Sequence, residues 1–207
     1  TDPDYISVIL DICVKENVRA ETTFIDPEIE VLAKNRGLFE ELGIEVLAPY
    51  TETAELCFDK FKMYEFLVQN NIPTVPTYDN FNSFLKEYEK GNLTLPVFVK
   101  PSLIVQQFMV GDDLDADVYI DTISNLAVSA FTKRKLETKI GGANKTISFK
   151  DERLFKLIQD IANKFKFNGP IDMDFFYQDG VYYLSEINPR FGGAYLHAYG
   201  CGVDFIK

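Results

Sequence analysis

The sequence predicts a mixed protein, with an α/β first part and an α+β second part, and three patterns carry this prediction. Residues 1–50 alternate helix, strand, helix and strand, which is typical of a small parallel sheet. Residues 151–165 carry apolar side chains at helical spacing. Residues 171–187 contain two aromatic and β-branched runs joined by Gln178-Asp179-Gly180, a pattern that indicates a β-hairpin.

In the first part, residues 1–50, sequence breakers mark the elements. The expected elements are, in order, a helix after Asp2-Pro3-Asp4, a strand at 19–25, a helix at 28–42 and a strand at 44–47. Asp26-Pro27 starts the second helix and Gly43 ends it. The inner stripe of that helix is predicted to consist of Ile29, Leu32, Ala33 and Leu38. Because the pattern lacks an opening strand, we expect a segment to precede Thr1.

The second part mixes helices with strands. We expect, in chain order, a helical zone at 51–70, a helix at 80–90, strands at 95–100 and 103–110, an acidic turn at 112–117, and strands at 117–121 and 126–132. The acidic turn is interpreted as a solvated loop. The helix at 151–165 and the hairpin follow, and a short helix at 195–199 comes last.

Composition excludes several functional classes. With 207 residues, 46% hydrophobic and 26% charged, the chain is a soluble globular protein long enough for one large or two small domains. Its net charge of −11 argues against a broad nucleic-acid surface. No apolar run approaches the roughly 18 residues of a membrane span, and no signal peptide opens the chain, so a cytoplasmic location is expected. The three unclustered cysteines are expected to be free thiols.

The hairpin contains the candidate chemistry. Asp172 and Asp174 are expected on one face of its first strand, and Leu184, Glu186 and Asn188 on one face of its second. Neighbouring strands lie about 4.8 Å apart, so carboxylates from both can reach one ion. Oxygen ligands of this kind suit Mg²⁺ bound to phosphate oxygens. The alternative is that these acids form the hydrated face of an edge hairpin.

The order of these residues resembles a known family. Asp174, then Glu186 twelve positions later, then Asn188 and Arg190 in Glu-Ile-Asn-Pro-Arg, resembles the metal-binding end of the ATP-grasp superfamily, and most closely its carbamoyl-phosphate-synthase-like branch. The resemblance implies an ATP-grasp fold at 51–207 behind a partial Rossmann-like pre-ATP-grasp domain at 1–50. It implies Asp174, Glu186 and Asn188 as metal ligands and Arg190, Glu186 and Asn188 as catalytic residues.

The same resemblance implies a nucleotide site. Its predicted residues are Lys60, Lys100, the adenine hinge Gln107, Phe108 and Met109, and Asp113 in the place of a ribose-binding glutamate. ATP with Mg²⁺ or Mn²⁺ are the implied cofactors. The alternative for Lys60 and its neighbour Lys62 is a pair of solvated helix charges, and for Lys100 a surface position at the end of a strand.

In one place the chain departs from the family pattern. ATP-grasp enzymes usually follow the second nucleotide lysine with a mobile Gly-rich loop, a strand and a helix, but here Pro101-Ser102 runs directly into Leu103. We expect a mobile segment to be missing after Ser102 rather than a natural deletion. Lys133-Arg-Lys135 is interpreted as surface charge or as a weak phosphate signal. His197, the one histidine, is interpreted as structural or substrate-side.

Three functions are compatible with these residues. The favoured one is an ATP-dependent ligase that converts a carboxylate substrate to an acyl phosphate and joins it to an amine or ammonia. A carbamoyl-phosphate synthase large-subunit-type enzyme, or a fragment of one, is the second. A non-catalytic ATP-binding module is the third. The expected partners are ATP, a small carboxylate and an amine, with neither nucleic acid nor membrane, and a homodimer is a possible assembly.

Overall fold

The N-terminal unit, residues 5–46, contains two helices and two short parallel strands. The computed structural model of the protein describes residues 3–99, 104–139 and 142–206. The unit consists of α1 (Tyr5–Lys15), β1 (Ala20–Glu21), α2 (Asp26–Glu40) and β2 (Glu45–Val46). Ala20 of β1 pairs with Glu45 of β2 in parallel, which confirms the alternating pattern and its parallel sheet. The strands are shorter than predicted.

The core of this unit lies along α2. Ile29, Leu32 and Ala33 are buried as predicted, but Leu38 is 45% exposed and its predicted inner position is wrong. The reason is helical phase, because Phe39 continues the buried stripe and turns Leu38 outward. Arg36 is also buried, and its guanidinium donates to the carbonyls of Val46, at 2.9 Å, and Ala48.

The middle of the chain forms two helices and a small sheet. The predicted helical zone at 51–70 is divided into α3 (Thr51–Phe58) and α4 (Lys60–Gln69). The break is at Asp59, whose carboxylate accepts the Lys62 backbone N–H at 3.0 Å and so caps α4. Then follow β3 (Thr77–Tyr78), α5 (Phe81–Glu89), β4 (Val97–Val99) and β5 (Val105–Gln107), and the three strands form an antiparallel sheet in the order β3-β5-β4.

The last part is a five-stranded antiparallel sheet with two helices. Its elements are β6 (Asp112–Ile120), β7 (Ala127–Lys139), β8 (Gly142–Phe149), α6 (Glu152–Ala162), β9 (Gly169–Gln178), β10 (Val181–Asn188) and α7 (Tyr195–Gly200). The strand order is β10-β9-β6-β7-β8. The predicted acidic turn at 112–117 is wrong, because these residues form the first part of β6 and alternate between the two faces of the sheet.

The two faces of this sheet differ in chemistry. One face carries apolar side chains such as Leu114, Met173 and Phe175, which are buried with Leu154 and Ile158 of α6 in the largest core. The opposite face carries Asp113, Asp115 and Asp117 of β6 and Asp172 and Asp174 of β9, and we call it the polar face. Residues that pair directly across neighbouring strands share a face, so the register decides which side chains meet there.

The predicted hairpin is confirmed as β9 and β10. Asp179 and Gly180 both have positive φ, of 53° and 83°, as a tight two-residue turn requires. A register shift between Leu184 and Glu186 changes the expected face of Leu184, which pairs with Phe175 and is fully buried in the core. The predicted common face of Leu184, Glu186 and Asn188 is therefore wrong for Leu184, because a β-bulge interrupts the alternation.

The outer side of β10 is covered by the segment that leads from α4 to β3. Thr74 forms a parallel bridge with Leu184. The Leu184 N–H donates to the Pro73 carbonyl at 2.9 Å, and the Thr74 hydroxyl donates to the Leu184 carbonyl at 2.8 Å. On the opposite side of the sheet, β8 pairs with β7 alone among the described strands.

Candidate active site

The register brings six polar side chains together on the polar face. Asp174 of β9 pairs with Glu186 of β10 and with Asp115 of β6. Asp172 pairs in the same way with Asn188 and with Asp117. These six side chains therefore form two rows of three that cross the three strands, and the two rows lie two residues apart along each strand.

The three predicted metal ligands lie next to one another. Asp174 and Glu186 face each other across the β9–β10 ladder. The Asn188 amide nitrogen lies 3.5 Å from Asp174 Oδ2 and 3.3 Å from Asp172 Oδ2. The bulge before Glu186 makes this arrangement possible, because it returns Glu186 to the face of Asp174.

Lys60 reaches this group from a different element. It is the first residue of α4, and its ammonium lies 2.5 Å from Glu186 Oε1. Lys62 instead pairs with Asp59 at 3.1 Å, and its side chain is 72% exposed. Of the two lysines, the one predicted for the nucleotide site faces the acids, and the other lies on the surface.

Lys135 of β7 is the second cation at the acids. Its ammonium contacts Asp174 Oδ1 and lies 3.0 Å from Asp113 Oδ1. Burial alone would lower the pKa of Lys135, but the carboxylates of Asp174 and Asp113 outweigh it and raise that pKa. Asp113, predicted to bind ribose, is therefore an ion-pair partner of Lys135 in this structure. Sequence analysis gave Lys135 only a weak phosphate signal.

A buried ionic cluster beside these residues was missed by the sequence analysis. Lys133 is fully buried, with its ammonium 3.0 Å from Asp115 Oδ1 and 2.5 Å from Asp117 Oδ2. Oxygens of Asp115, Asp117 and Asp172 all lie within 4.8 Å of one another, which is ligand spacing for a cation. The Lys133 ammonium supplies positive charge to this group. The signal that could have found it is the alternation of acids with Leu114 and its apolar neighbours, a strand pattern.

The protonation of these acids is shifted by burial. Burial raises the pKa of Asp117 to about 6, and Lys133 opposes part of that rise. Burial, and then the carboxylates of Asp115, Asp174 and Asp117, raise the pKa of Asp172 well above its ordinary value. The polar face therefore holds more negative charge than its lysines neutralise, and it takes up protons more readily than free carboxylates would.

Arg190 follows β10 and contacts the N-terminal unit. Its Nε lies 2.5 Å from Asp26 Oδ1, and its Nη1 donates to the Phe191 carbonyl at 3.0 Å. His197 of α7 lies farther along the polar face, where its Nδ1 is 2.6 Å from the Thr146 hydroxyl. The histidine therefore has a local structural partner.

Comparison with known proteins identifies the family of the chain. The description "PylC-like, N-terminal domain" matches residues 1–47. The description "ATP-grasp in the biosynthetic pathway with Ter operon" matches residues 99–207, which is more than half of the chain. The chain belongs to this ATP-grasp family. No curated protein matches the sequence.

Solved structures share the ATP-grasp fold at low sequence identity. The biotin carboxylase domain of a single-chain bacterial carboxylase aligns with a TM-score of 0.73 and 13% identity, over 97% of this chain and 51% of that one. The Hydrogenobacter thermophilus 2-oxoglutarate carboxylase biotin carboxylase domain, in complex with MgADP and bicarbonate, gives 0.66 and 15%, over 92% and 52%. D-alanine–D-alanine ligase from Bacillus anthracis, complexed with ATP, gives 0.63 and 16%, over 84% and 69%.

The likeness confirms the predicted fold class, a mixed α/β protein with an ATP-grasp fold. The chain spans about half the length of the first two of these structures. No described helix is long and apolar enough to cross a membrane.

The predicted nucleotide residues of the ATP-grasp fold are only partly described. Gln107 ends β5, and Met109 is buried. The ring of Phe108 lies tilted by 35° against that of Phe98, with ring centroids 5.2 Å apart. The Gln107 side chain bonds back to the Thr94 carbonyl at 3.1 Å, and the Gln107 backbone N–H donates to the Pro76 carbonyl at 3.0 Å. Lys100 and the junction after Ser102 lie outside the described residues.

The donor set at the polar face suits a hard divalent cation. Asp174 and Glu186 supply carboxylates and Asn188 an amide, the oxygen ligands that Mg²⁺ takes in proteins. Asp172 Oδ1 is buried with no hydrogen-bond partner in the described part of the chain. The segment after β10 passes close to this oxygen, since a Cβ on Gly192 would lie 2.7 Å from it. Glycine is therefore required where the chain covers the acids.

Proposed function

We propose that the chain is an ATP-dependent ligase that activates a carboxylate substrate as an acyl phosphate and then joins it to an amine or ammonia, releasing ADP and phosphate. The observation that carries this proposal is the pairing of Asp174 with Glu186 beside Asn188, with Lys60 and Lys135 against the two carboxylates. In such a cluster the carboxylates can bind a metal ion, and the lysines can bind the oxygens of the polyphosphate that the metal carries.

Asp174, Glu186 and Asn188 would hold Mg²⁺. When bound, the ion neutralises phosphate charge and orients the terminal phosphoryl group. With Asp174 and Glu186 holding an ion, Lys60 and Lys135 would be able to bind phosphate oxygens, and Lys135 would keep its ion pair with Asp113. Each lysine would thus have an anionic partner with or without the nucleotide.

The chemical step depends on positioning and charge. The carboxylate of the substrate attacks the γ-phosphorus of ATP, the bond to the ADP oxygen breaks, and an acyl phosphate forms. Arg190, next to the metal ligands at the end of β10, stabilises the charge that develops on the transferring oxygens. The amine then attacks the acyl carbon and phosphate leaves. The segment around Gly192 lies over the acids and limits access of water to them.

The experiment that tests this function is an ADP-release assay with Mg-ATP across a panel of carboxylates, each with and without amines. ADP release that requires both substrates supports the ligase. ATP binding in calorimetry without ADP release under any pair favours the non-catalytic module.

Lys60 and Lys62 provide a matched pair of variants. Lys60→Ala is expected to weaken nucleotide binding by about 2–5 kcal/mol, because a desolvated phosphate loses its cation. Lys62→Ala is expected to change it by less than about 0.5 kcal/mol, because that lysine is solvated. Equal affinities of both variants would remove Lys60 from the nucleotide site.

The finer assignments follow the same proposal. We place the pre-ATP-grasp domain at 1–50 and the ATP-grasp domain at 51–207, in line with the family matches to 1–47 and 99–207. Asn188-Pro189-Arg190 supports the carbamoyl-phosphate-synthase-like branch. ADP release that requires bicarbonate and ammonia would identify that branch.

A further inference from the structure

We infer that Asp26 of the N-terminal unit is a positioning residue that orients the guanidinium of Arg190, so that the site on the large sheet is complete only with the N-terminal unit in place. The inference rests on the proposed function, in which Arg190 stabilises the transferring phosphoryl group. It adds a residue from outside the matched ATP-grasp region of 99–207.

Two hydrogen bonds hold the guanidinium of Arg190. Nε of Arg190 donates to Asp26 Oδ1 at 2.5 Å, and Nη1 donates to the Phe191 carbonyl at 3.0 Å. Within the described part of the chain, Nη2 has no hydrogen-bond partner. The Arg190 side chain is 20% exposed. The guanidinium is therefore held at two nitrogens, and the third remains for an anionic oxygen.

The loop that carries Asp26 is itself anchored. The Thr22 hydroxyl donates to the Leu47 carbonyl at 3.3 Å, and the Thr23 hydroxyl donates to Glu28 at 2.5 Å. The Ile25 N–H donates to the Thr23 hydroxyl at 3.0 Å. These bonds leave little freedom in the position of Asp26. A residue that orients a catalytic group is effective when its own position is fixed in this way.

An aromatic contact fixes the other side of the junction. Phe24 stacks on Phe191 with ring centroids 5.1 Å apart and planes at 20°. Phe191 is buried, and it packs against Tyr195 of α7. The ion pair and the ring pair lie side by side, between the same two segments of the chain. Together they hold the loop at 22–26 against the residues that follow β10.

Topology favours a functional role for this contact over a stabilising one. The loop follows the carboxyl end of β1, where open α/β sheets place their ligands. An exposed ion pair contributes little stability, and the Asp26 side chain is 46% exposed. Asp26 also lies in the first turn of α2, where a carboxylate stabilises the helix whatever side chain it contacts. The control variant must therefore remove a carboxylate from the same turn.

The test uses Asp26→Ala, Asp26→Asn and the control Glu28→Gln. Glu28 is in the same first turn of α2, and no described contact joins it to Arg190. Glu28→Gln removes the same helix charge, while the amide oxygen of Gln can still accept the bond from the Thr23 hydroxyl that anchors the loop. With a substrate pair that supports wild-type turnover, Asp26→Ala is expected to lower kcat by about tenfold or more, with the KM for ATP unchanged, because Arg190 is no longer oriented. Glu28→Gln is expected to stay within about twofold.

A second measurement reports the contact without any turnover. In protein labelled with ¹⁵N-arginine, the Nε–H signal of Arg190, assigned by its loss in Arg190→Lys, is expected to exchange slowly with water. Asp26→Ala should remove this protection, Asp26→Asn should retain part of it, and Glu28→Gln should retain all of it. A signal equally protected in Asp26→Ala would overturn the inference, whatever the activity.

A double-mutant cycle separates positioning from general stability. If Asp26 acts through Arg190, Asp26→Ala lowers kcat in the wild-type background but not further in Arg190→Lys. An equal loss in both backgrounds overturns the positioning role. If no substrate pair gives ADP in the wild type, the proposed function fails, and an Nε–H signal lost in Asp26→Ala still establishes that Asp26 holds Arg190.

Discussion

The two faces of the five-stranded sheet are built from the same strands, but one is held by apolar packing and the other by ion pairs. On the face packed against α6, Leu114, Met173 and Phe175 are buried among apolar neighbours. One residue away along each strand, Asp115 and Asp174 are held in ion pairs with lysines. The apolar face gains stability from burial, whereas the polar face concentrates charge whose net contribution to stability is small or unfavourable. Such a face is explained by ligand binding better than by folding.

Glu186→Gln is expected to produce the largest effect, and on activity alone. The substitution keeps the shape of the side chain but removes the charge that would face the metal. ADP formation is expected to fall by about 10³-fold or more, as when a preorganised charge contact is removed from a transition state. The measurement is ADP release, with the thermal unfolding midpoint recorded in parallel. Normal turnover would mean that the acids of the hairpin are only its hydrated face.

Lys133→Met is expected to give the largest loss of stability. It removes the buried ammonium and leaves Asp115 and Asp117 without their cation, which costs about 3–5 kcal/mol of unfolding free energy. Urea unfolding measures the change. The comparison is Lys145→Met on β8, whose side chain is 69% exposed and which is expected to change stability by less than about 0.5 kcal/mol. Equal losses of unfolding free energy in the two variants would show that the buried lysine contributes no more to stability than the exposed one.

Leu184→Ala tests the apolar face on β10, the strand that also carries Glu186. Leu184 is fully buried, so truncation is expected to lower the unfolding free energy by about 2–5 kcal/mol through lost burial and a cavity. Below the unfolding transition, its KM for ATP is expected to match the wild type. A variant of normal stability would contradict the assignment of Leu184 to the core.

The smallest effect is expected from proton binding at Asp117. Burial raises its pKa from 3.8 to about 6, so the folded protein binds this proton more tightly than the unfolded chain. The unfolding free energy is therefore expected to fall as pH rises from about 4 to about 6, by about 1–3 kcal/mol. Asp117→Asn should make this slope shallower in urea unfolding at a series of pH values. A slope that Asp117→Asn leaves unchanged would assign the proton to another acid.

Local patterns in the sequence predicted much of the fold and part of the site. The hairpin was predicted because Asp179-Gly180 and the flanking aromatic runs are short-range signals. Asp174, Glu186 and Asn188 were placed together because strand pairing follows from the hairpin. The bulge after Leu184 was not predicted, since an extra residue in a strand has no distinct composition.

The remainder of the site depends on contacts between distant residues. Asp115 and Asp117 were interpreted as solvated because acids are usually exposed, and their buried partner Lys133 comes from the next strand. Arg190 and Asp26 are 164 positions apart, so no local pattern could connect them. Sequence reasoning predicted the candidate ligands of the hairpin and Lys60 of α4, but it missed the ion pairs of Lys133 and Asp26.

The segment that covers β10 has a consequence for self-association. An uncovered sheet edge offers unpaired backbone groups to a strand of another chain. At β10 these groups are already used in part, because Pro73 and Thr74 bond with Leu184. Strand addition is thereby opposed beside the site. At the opposite edge of this five-stranded sheet, β8 has no further partner among the described strands and Lys145 is exposed, so two copies joined there would leave both sites open.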